Sequence, residues 1–469
     1  MTTSAGPQTA LPAPIIESPR RWRVLAVAGI AQYLAILDLF AVTVAFPTLE
    51  SSFGHAAPST VSWVLNAYTI VMAALLVPAG RLADDTSRKT GFLVGIALFG
   101  LASIACGVAP TLGVLIAARV VQAAAAALLV PTGLGLVLPS FDKRDHPTVM
   151  GIWTAIAAAG GGSGPVIGGL LLQAGWRWIF LFNIPFTVVA FVYGLRLLPD
   201  VRAHAGRKLD LLGAALILGA TAALTTVFVQ GHDWGYTSAA TLGTLAAAIV
   251  LTALFTRHVL RHPDPVVSPD VLRHKMFRIA TLGVFCYYLA FAALILEGTL
   301  FLTQHWHYSE LRASLGIAPI PLICLLVSPL SGRLVARIGA RASAALGGAT
   351  IALGAAWWTV LSGVTTSYAL MFLPGALLTG ISTALLQPPL FGASALLRPD
   401  QLSLGSGTLM MARQTSSALG VAILTAIMAR AAVPGLSDYR AGWVYMVVTG
   451  AVAAAAGLAF RPEKAGARA

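Results

Sequence analysis

Charge is scarce in this chain. Asp, Glu, Lys and Arg make up 10% of its 469 residues, against 57% apolar residues, whereas a soluble domain carries about a quarter of its residues charged, so a water-exposed globule is excluded. Cysteine is equally sparse. Cys106, Cys286 and Cys324 all fall in apolar runs, where a free thiol behaves as a small hydrophobe, so no disulfide framework is implied. Acids are the rarer sign, 17 against 30 basic residues. The formal charge of +13 would suggest nucleic acid in a soluble protein, but the basic residues gather at the ends of apolar runs, which leaves nucleic acid nothing to explain. No HExxH, paired-acid or nucleophile–base constellation occurs within the runs, and a phosphate-cradling GxxxxGK(S/T) loop is absent. Catalysis, a metal centre, a cofactor and ATP hydrolysis are therefore not expected. His305-Trp306-His307 resembles a metal pair, but it has neither cysteine nor a nearby acid and is rejected.

What the chain does have is hydrophobic length. With a mean hydropathy of +0.83, it divides into fourteen runs between residues 24 and 460 that reach the ~20 residues needed to cross a bilayer. Most Lys and Arg fall on one side if the N-terminus is cytoplasmic, which predicts both termini inside the cell. GRLADDTSRK (Gly80 to Lys89) closes one run, and GRLVARIGAR (Gly332 to Arg341) closes another much later. This repeat predicts an all-α membrane protein of two pseudo-symmetric six-helix bundles, 24–200 and 277–460. Residues 201–276 read as a linker carrying two inserted transmembrane helices, 1–23 as a disordered cytoplasmic tail and 461–469 as a second tail.

Several motifs carry a family resemblance. Gly80, Leu82, Asp84, Arg88 and Lys89 look like a loop motif G-x-L-a-D-r-x-G-r-k, with Asp85 in place of a basic residue and Ser87 in place of the second glycine. Leu37, Asp38, Ala45 and Pro47 match a first-span motif, although Phe40 and Thr43 replace its polar pair. Leu115, Arg119 and Gln122 match a fourth-span motif in which Ala123 replaces the glycine. Gly160, Gly164, Pro165, Gly168 and Gly169 match the fifth-span antiporter motif in full. Together with Trp63, Ala67, Tyr68 and the run Trp176 to Pro185, these resemble the major facilitator superfamily, in its fourteen-span drug:proton antiporter branch.

The resemblance implies proton-coupled export of small organic molecules by alternating access, from a bacterial inner membrane, with Gly80, Asp84 and Arg88 at a cytoplasmic gate. An importer or symporter on the same fold and a lipid flippase are the alternatives. The partners expected are a small-molecule substrate, protons and the lipid bilayer, with the chain acting as a monomer.

Only two acids clearly lie inside spans, Asp38 in the first and Glu297 in the ninth, the corresponding helix of the second repeat. An ionised carboxylate there costs at least several kcal/mol (~3 or more) unless paired, hydrated or neutralised. Each therefore reads as a proton-coupling site or as half of a structural ion pair, with Arg119 or Arg413 the available cations, and Glu297 also as a contact for a cationic substrate. Arg119 cannot lose its proton and needs an anion, carbonyls or water, so coupling and fixed counter-ion both remain open. Gln32, Tyr33, Asn66, Tyr287, Tyr288, Phe291, Trp357, Gln387 and Arg413 are candidates for a substrate pocket.

Overall fold

The computed structural model describes residues 18–54, 56–85, 87–142, 145–200, 210–263, 265–267, 269–364, 366–397, 402–429 and 434–461. The tail expected over 1–23 lies outside these up to residue 17, and that over 461–469 from residue 462. No strand occurs among the described residues. Fourteen long helices carry the chain: α1 (Ser18–Val44), α2 (Pro58–Asp85), α3 (Arg88–Gly107), α4 (Leu112–Val137), α5 (His146–Leu172), α6 (Asn183–Leu197), α7 (Leu211–Trp234), α8 (Ala239–Val259), α9 (Lys275–Leu300), α10 (Pro319–Ile338), α11 (Ala340–Leu361), α12 (Leu373–Phe391), α13 (Leu402–Met428) and α14 (Leu436–Ala459). By length and composition, thirteen helical segments of the described residues suffice to cross a membrane.

In hydrocarbon every backbone polar group needs a partner, and a helix supplies all of them within its own segment. The ends are set locally. Ser87, Thr111 and Ser238 cap α3, α4 and α8 by accepting a backbone N–H in the first turn, and Asp210 caps α7 in the same way. Several expected spans are interrupted. A short helix, Arg177–Leu181, precedes α6, and another, Glu310–Ile317, precedes α10, whose first residue Pro319 has no N–H to continue the ladder. π-Helical turns extend α9 at Phe301–His305 and open α12 at Tyr368–Phe372. The first helix starts at Ser18, six residues before the apolar run at 24, because Arg20, Arg21 and Arg23 extend the helix beyond its apolar part.

Packing follows the repeat. Within the first six helices α1 packs on α4, α5 and α6, and α4 on α2 and α3; within the last six α9 packs on α13 and α14, and α11 on α12 and α14. The two sets meet chiefly through α2 against α13 and α5 against α10. Since α10 and α13 are the second-repeat counterparts of α2 and α5, these are one contact used twice. The α7–α8 pair packs on itself, and α7 lies against both α2 and α13.

Candidate functional site

Asp38 stands on a narrow stripe of α1, with Ala31, Leu34, Ala35, Ala41 and Ala45 all buried at helical spacing. Small residues let α4 and α6 approach closely. The Asp38 carboxylate is fully buried and ion-paired with Arg119 Nη1 of α4, also fully buried. Its Oδ1 accepts from Gln122 Nε2 at 3.1 Å and from Asn183 Nδ2 at 3.0 Å. Both amides also reach Ser103 Oγ of α3, at 2.9 and 3.3 Å. Arg119 further donates to the Val64 carbonyl of α2 at 3.1 Å and to Gln122 Oε1 at 2.7 Å, while its planar face lies 4.2 Å from the Tyr68 ring centre. Five helices thus converge on one ion pair whose carboxylate is surrounded by donors, which offsets the cost of burying both charges.

A second site lies at mid-helix where α1, α2, α9 and α13 meet. A small cavity of about 50 Å³ is walled by Phe40, Thr69, Tyr288, Phe291, Arg413 and Gln414, among others. Phe40 meets Phe291 edge-on at 6.4 Å, and Tyr287 stacks on Phe291 at 5.7 Å. Tyr287 is held from behind by Ser382 and Thr383 at 2.8 and 2.6 Å. The Arg413 guanidinium lies 4.8 Å from the Tyr288 ring centre, so its charge is shared with an aromatic face rather than with an acid.

Glu297 is the opposite of Asp38. It is fully buried on α9, and neither carboxylate oxygen has a hydrogen-bond partner. The group lies against the backbone of α14 at Gly442, where any side chain would collide with it. Its neighbours Leu296 and Leu300 line a larger cavity of about 470 Å³, together with Phe46, Glu50, Ser59, His232, Asp233, Gln304 and Thr425. This cavity sits where α1, α7, α9 and α13 end. Burial pushes the Glu50 carboxyl up to about 7. Across the same end of the molecule Thr48 donates to Glu310, and Ser59 donates to Asp233 at 2.5 Å.

The glycines of α5 serve two neighbours. On one face Gly160, Gly164 and Gly168 lie on α1: a methyl group at 164 would stand 2.6 Å from Phe40 Cβ and 3.1 Å from the Leu37 carbonyl, and one at 168 would stand 3.0 Å from Ala41 Cα. On the other, Gly162 lies 3.5 Å from Pro321 at that Cβ position, and Gly169 abuts Ser314. Pro165 is buried within the helix between the two faces. The stretch therefore joins α5 backbone-to-backbone with its own half and with the facing one.

The remaining sequence candidates are scattered. Tyr33 binds Ser163 of α5 at 2.7 Å; Gln32 and Asn66 are buried, each with a side-chain carbonyl oxygen unpartnered. Trp357 is 40% exposed on the outer face of α11, its indole donating to the Leu370 carbonyl at 3.1 Å. Gln387 lines neither cavity. It is Trp358, its neighbour, that is buried, because successive helical residues point about 100° apart. At the loop motif, a methyl group on Gly80 would stand 3.3 Å from Pro131, and Arg88 donates to the Gly135 carbonyl at 2.7 Å. The side chain of Asp84 lies outside the described residues.

Sequence reading passed over Glu50, Asp233, Gln304 and Tyr439. Polar groups at span ends are unremarkable in a membrane protein, and only the fold shows Glu50, Asp233 and Gln304 sharing one cavity, with the Tyr439 hydroxyl reaching Gln304. One further group of metal-competent side chains among the described residues, Asp210, His258 and His262, has its donor atoms within 4.8 Å of one another. It lies in the linker, away from both cavities, and Asp210 there already accepts from Gly213 N, His258 and Val266 N.

Comparison with known proteins gives concordant results. The family described as Major Facilitator Superfamily matches residues 28–294. Multidrug resistance protein Stp of Mycobacterium tuberculosis is 33% identical over 408 residues, covering 86% of this chain and 75% of that protein. Puromycin resistance protein pur8 of Streptomyces alboniger is 31% identical over 428 residues, 90% of this chain and 84% of that one. Among solved structures, a peptide transporter POT in complex with sulfate superposes with a TM-score of 0.67 at 14% identity, covering 93% of each chain. The human organic anion transporter MFSD10 does so with 0.64 at 17%, covering 92% of this chain and 99% of that chain; such likenesses speak to the fold alone.

Proposed function

This chain belongs to the major facilitator superfamily, a family of membrane transporters rather than enzymes, and from that premise we propose that it exports small, largely apolar antibiotics or drugs in exchange for protons, by alternating access between its two repeats. Export is supported by the relatives, whose names record multidrug and puromycin resistance, and by the full fifth-span motif Gly160 to Gly169. The aromatic walls with one cation and one amide, Arg413 and Gln414, enclose only about 50 Å³ here and would suit an apolar guest that needs few polar contacts once the halves part to enlarge the space. The excess of Lys and Arg in alternate loops supports cytoplasmic termini in a bacterial inner membrane.

The observation that carries the coupling is the buried, unpartnered carboxylate of Glu297. A carboxyl group without donors in a dry site is stable only when protonated, and releases its proton when water or a cation arrives. Glu297 is thus the proton carrier. Asp38, held by Arg119 and two amides, joins the coupling only in a state in which α1 and α4 have parted. Arg119 is its counter-ion, and Gly80, Asp84 and Arg88 serve the cytoplasmic latch.

A susceptibility panel that includes puromycin, in a pump-deficient bacterial host, tests export; inverted vesicles with an imposed pH gradient test coupling. Wild type should raise resistance, and Glu297→Gln should abolish pH-gradient-driven efflux at unchanged membrane abundance. Gradient-driven efflux that survives Glu297→Gln removes this residue from the mechanism.

A further inference from the structure

We propose that Glu297 exchanges its proton with the outer cavity through the hydroxyl of Tyr439 and the side chain of Gln304, and that Glu50 on the cavity wall is the group that collects protons there. The inference rests on Glu297 being the carrier, and it assigns the carrier a route and a collecting group.

The geometry runs outward in three steps. Glu297 belongs to the turn of α9 whose neighbouring residues, Leu296 and Leu300, form part of the cavity wall. The carboxyl rests against Gly442 of α14, and Tyr439 lies one turn earlier on the same face. Tyr439 is itself fully buried, yet its hydroxyl reaches the Leu300 carbonyl at 3.3 Å and Gln304 Oε1 at 3.4 Å. Gln304 lines the cavity. The phenol is therefore a polar group between a cavity with room for water and an otherwise dry acid, and it is in electrostatic reach of both Glu297 and Glu50.

A phenol keeps its proton at neutral pH and is donor and acceptor at once. It passes a proton by exchange once its hydroxyl turns from the Leu300 carbonyl to the unpartnered Glu297 carboxyl: Oη takes the carboxyl proton while its own leaves to a cavity water held beside Gln304, or the reverse, with no net change at Tyr439 or Gln304. Glu50 suits the outer end because its carboxyl, pushed up to about 7 by burial, is half protonated near neutrality and both gives and takes. The charged and titratable groups around it are Asp233 and His232 from the end of α7, which line the same cavity, Glu310, tied to Thr48 two residues before it, and Tyr439, which is also in reach of Glu297 and Asp438. Asp233 and Glu310 thus place two further acidic side chains at this end of the molecule.

The test is infrared spectroscopy of the full-length protein reconstituted in lipid, following the C=O stretch of protonated carboxyl groups when H₂O is exchanged for D₂O. A band that disappears in Glu297→Gln marks the carrier. In Tyr439→Phe and in Glu50→Gln the band should remain, but its isotope shift should appear at least about tenfold more slowly, as expected when a positioned relay group is removed. Packing roles alone would leave that rate unchanged, and a wild-type rate in both variants overturns the route while the carrier stands. If no band is lost in Glu297→Gln, the carrier reading itself fails and the route falls with it.

Discussion

Asp38 and Glu297 are both fully buried acids, and the difference between them is the company each keeps. Removing one member of a buried ion pair strands the other, at a cost of about 3–5 kcal/mol, so Asp38→Asn should lower the thermal midpoint of the purified protein sharply. Asp38→Asn combined with Arg119→Gln should recover part of that loss. Glu297→Gln breaks no ion pair or hydrogen bond and should leave the midpoint nearly unchanged while, on the role proposed for it, abolishing gradient-driven efflux. Glu50 gives a pH prediction. Its pKa is raised by burial from 4.5 to about 7, so the folded protein binds the extra proton between those values, and stability falls as pH rises through that window. Thermal midpoints measured from pH 4.5 to 7.5 should fall less in Glu50→Gln than in wild type. Sequence alone singled out Asp38, Glu297 and Arg119 because charges in apolar runs are conspicuous. It left pairing open, since which cation meets which acid depends on the side of each helix that faces inward.

At the scale of elements, α5 and α7 carry the clearest tests. The α5 glycines touch α1 on one face and the Glu310–Ile317 and Pro319–Ile338 helices on the other, so a methyl group on either face overpacks a backbone contact. Gly164→Ala should destabilise by about 1–3 kcal/mol, read as a lower thermal midpoint. Gly169→Ala should cost transport more than stability, because Ser314 belongs to the facing half. Asp210 caps α7: burial alone would raise its pKa, but donors from Gly213 N, His258 and Val266 N outweigh that and hold it below the usual carboxylate value. Asp210→Ala should destabilise by about 1–2 kcal/mol through the lost cap, a loss measurable as a lower thermal midpoint. The helices were legible from hydrophobic length, but their interruptions at 182, 318 and 301–305 were not, since a break of one residue leaves an apolar run intact.

For the whole molecule, the contact of α2 with α13 and that of α5 with α10 are the surfaces on which two halves would rock, and the end beside the 470 Å³ cavity is tied by Thr48 and Glu310. Cysteines at these two positions, Thr48→Cys with Glu310→Cys, should crosslink on oxidation and stop efflux, with recovery on reduction; unimpaired efflux by the crosslinked protein would show that this end need not part. The native cysteines are poor competitors, as Cys106 and Cys286 are buried. The inserted α7 lies against both α2 and α13 and brings Asp233 to the cavity wall, a position that no feature of its own sequence announces.

The amino-acid order by itself determined that this is a bundle of membrane helices, that the pattern repeats, and which rare charges the bilayer would have to tolerate. These follow from local physics: hydrocarbon demands long apolar helices and makes every charge inside them costly. Only the tertiary structure decided that Asp38 is paired and Glu297 alone, that Trp358 rather than Trp357 faces the core, and that Glu50, Gln304 and Asp233 share one cavity. Partnership in a helical bundle depends on rotation and crossing of packed helices, and residues far apart in the chain acquire a common environment only when those rotations are fixed together.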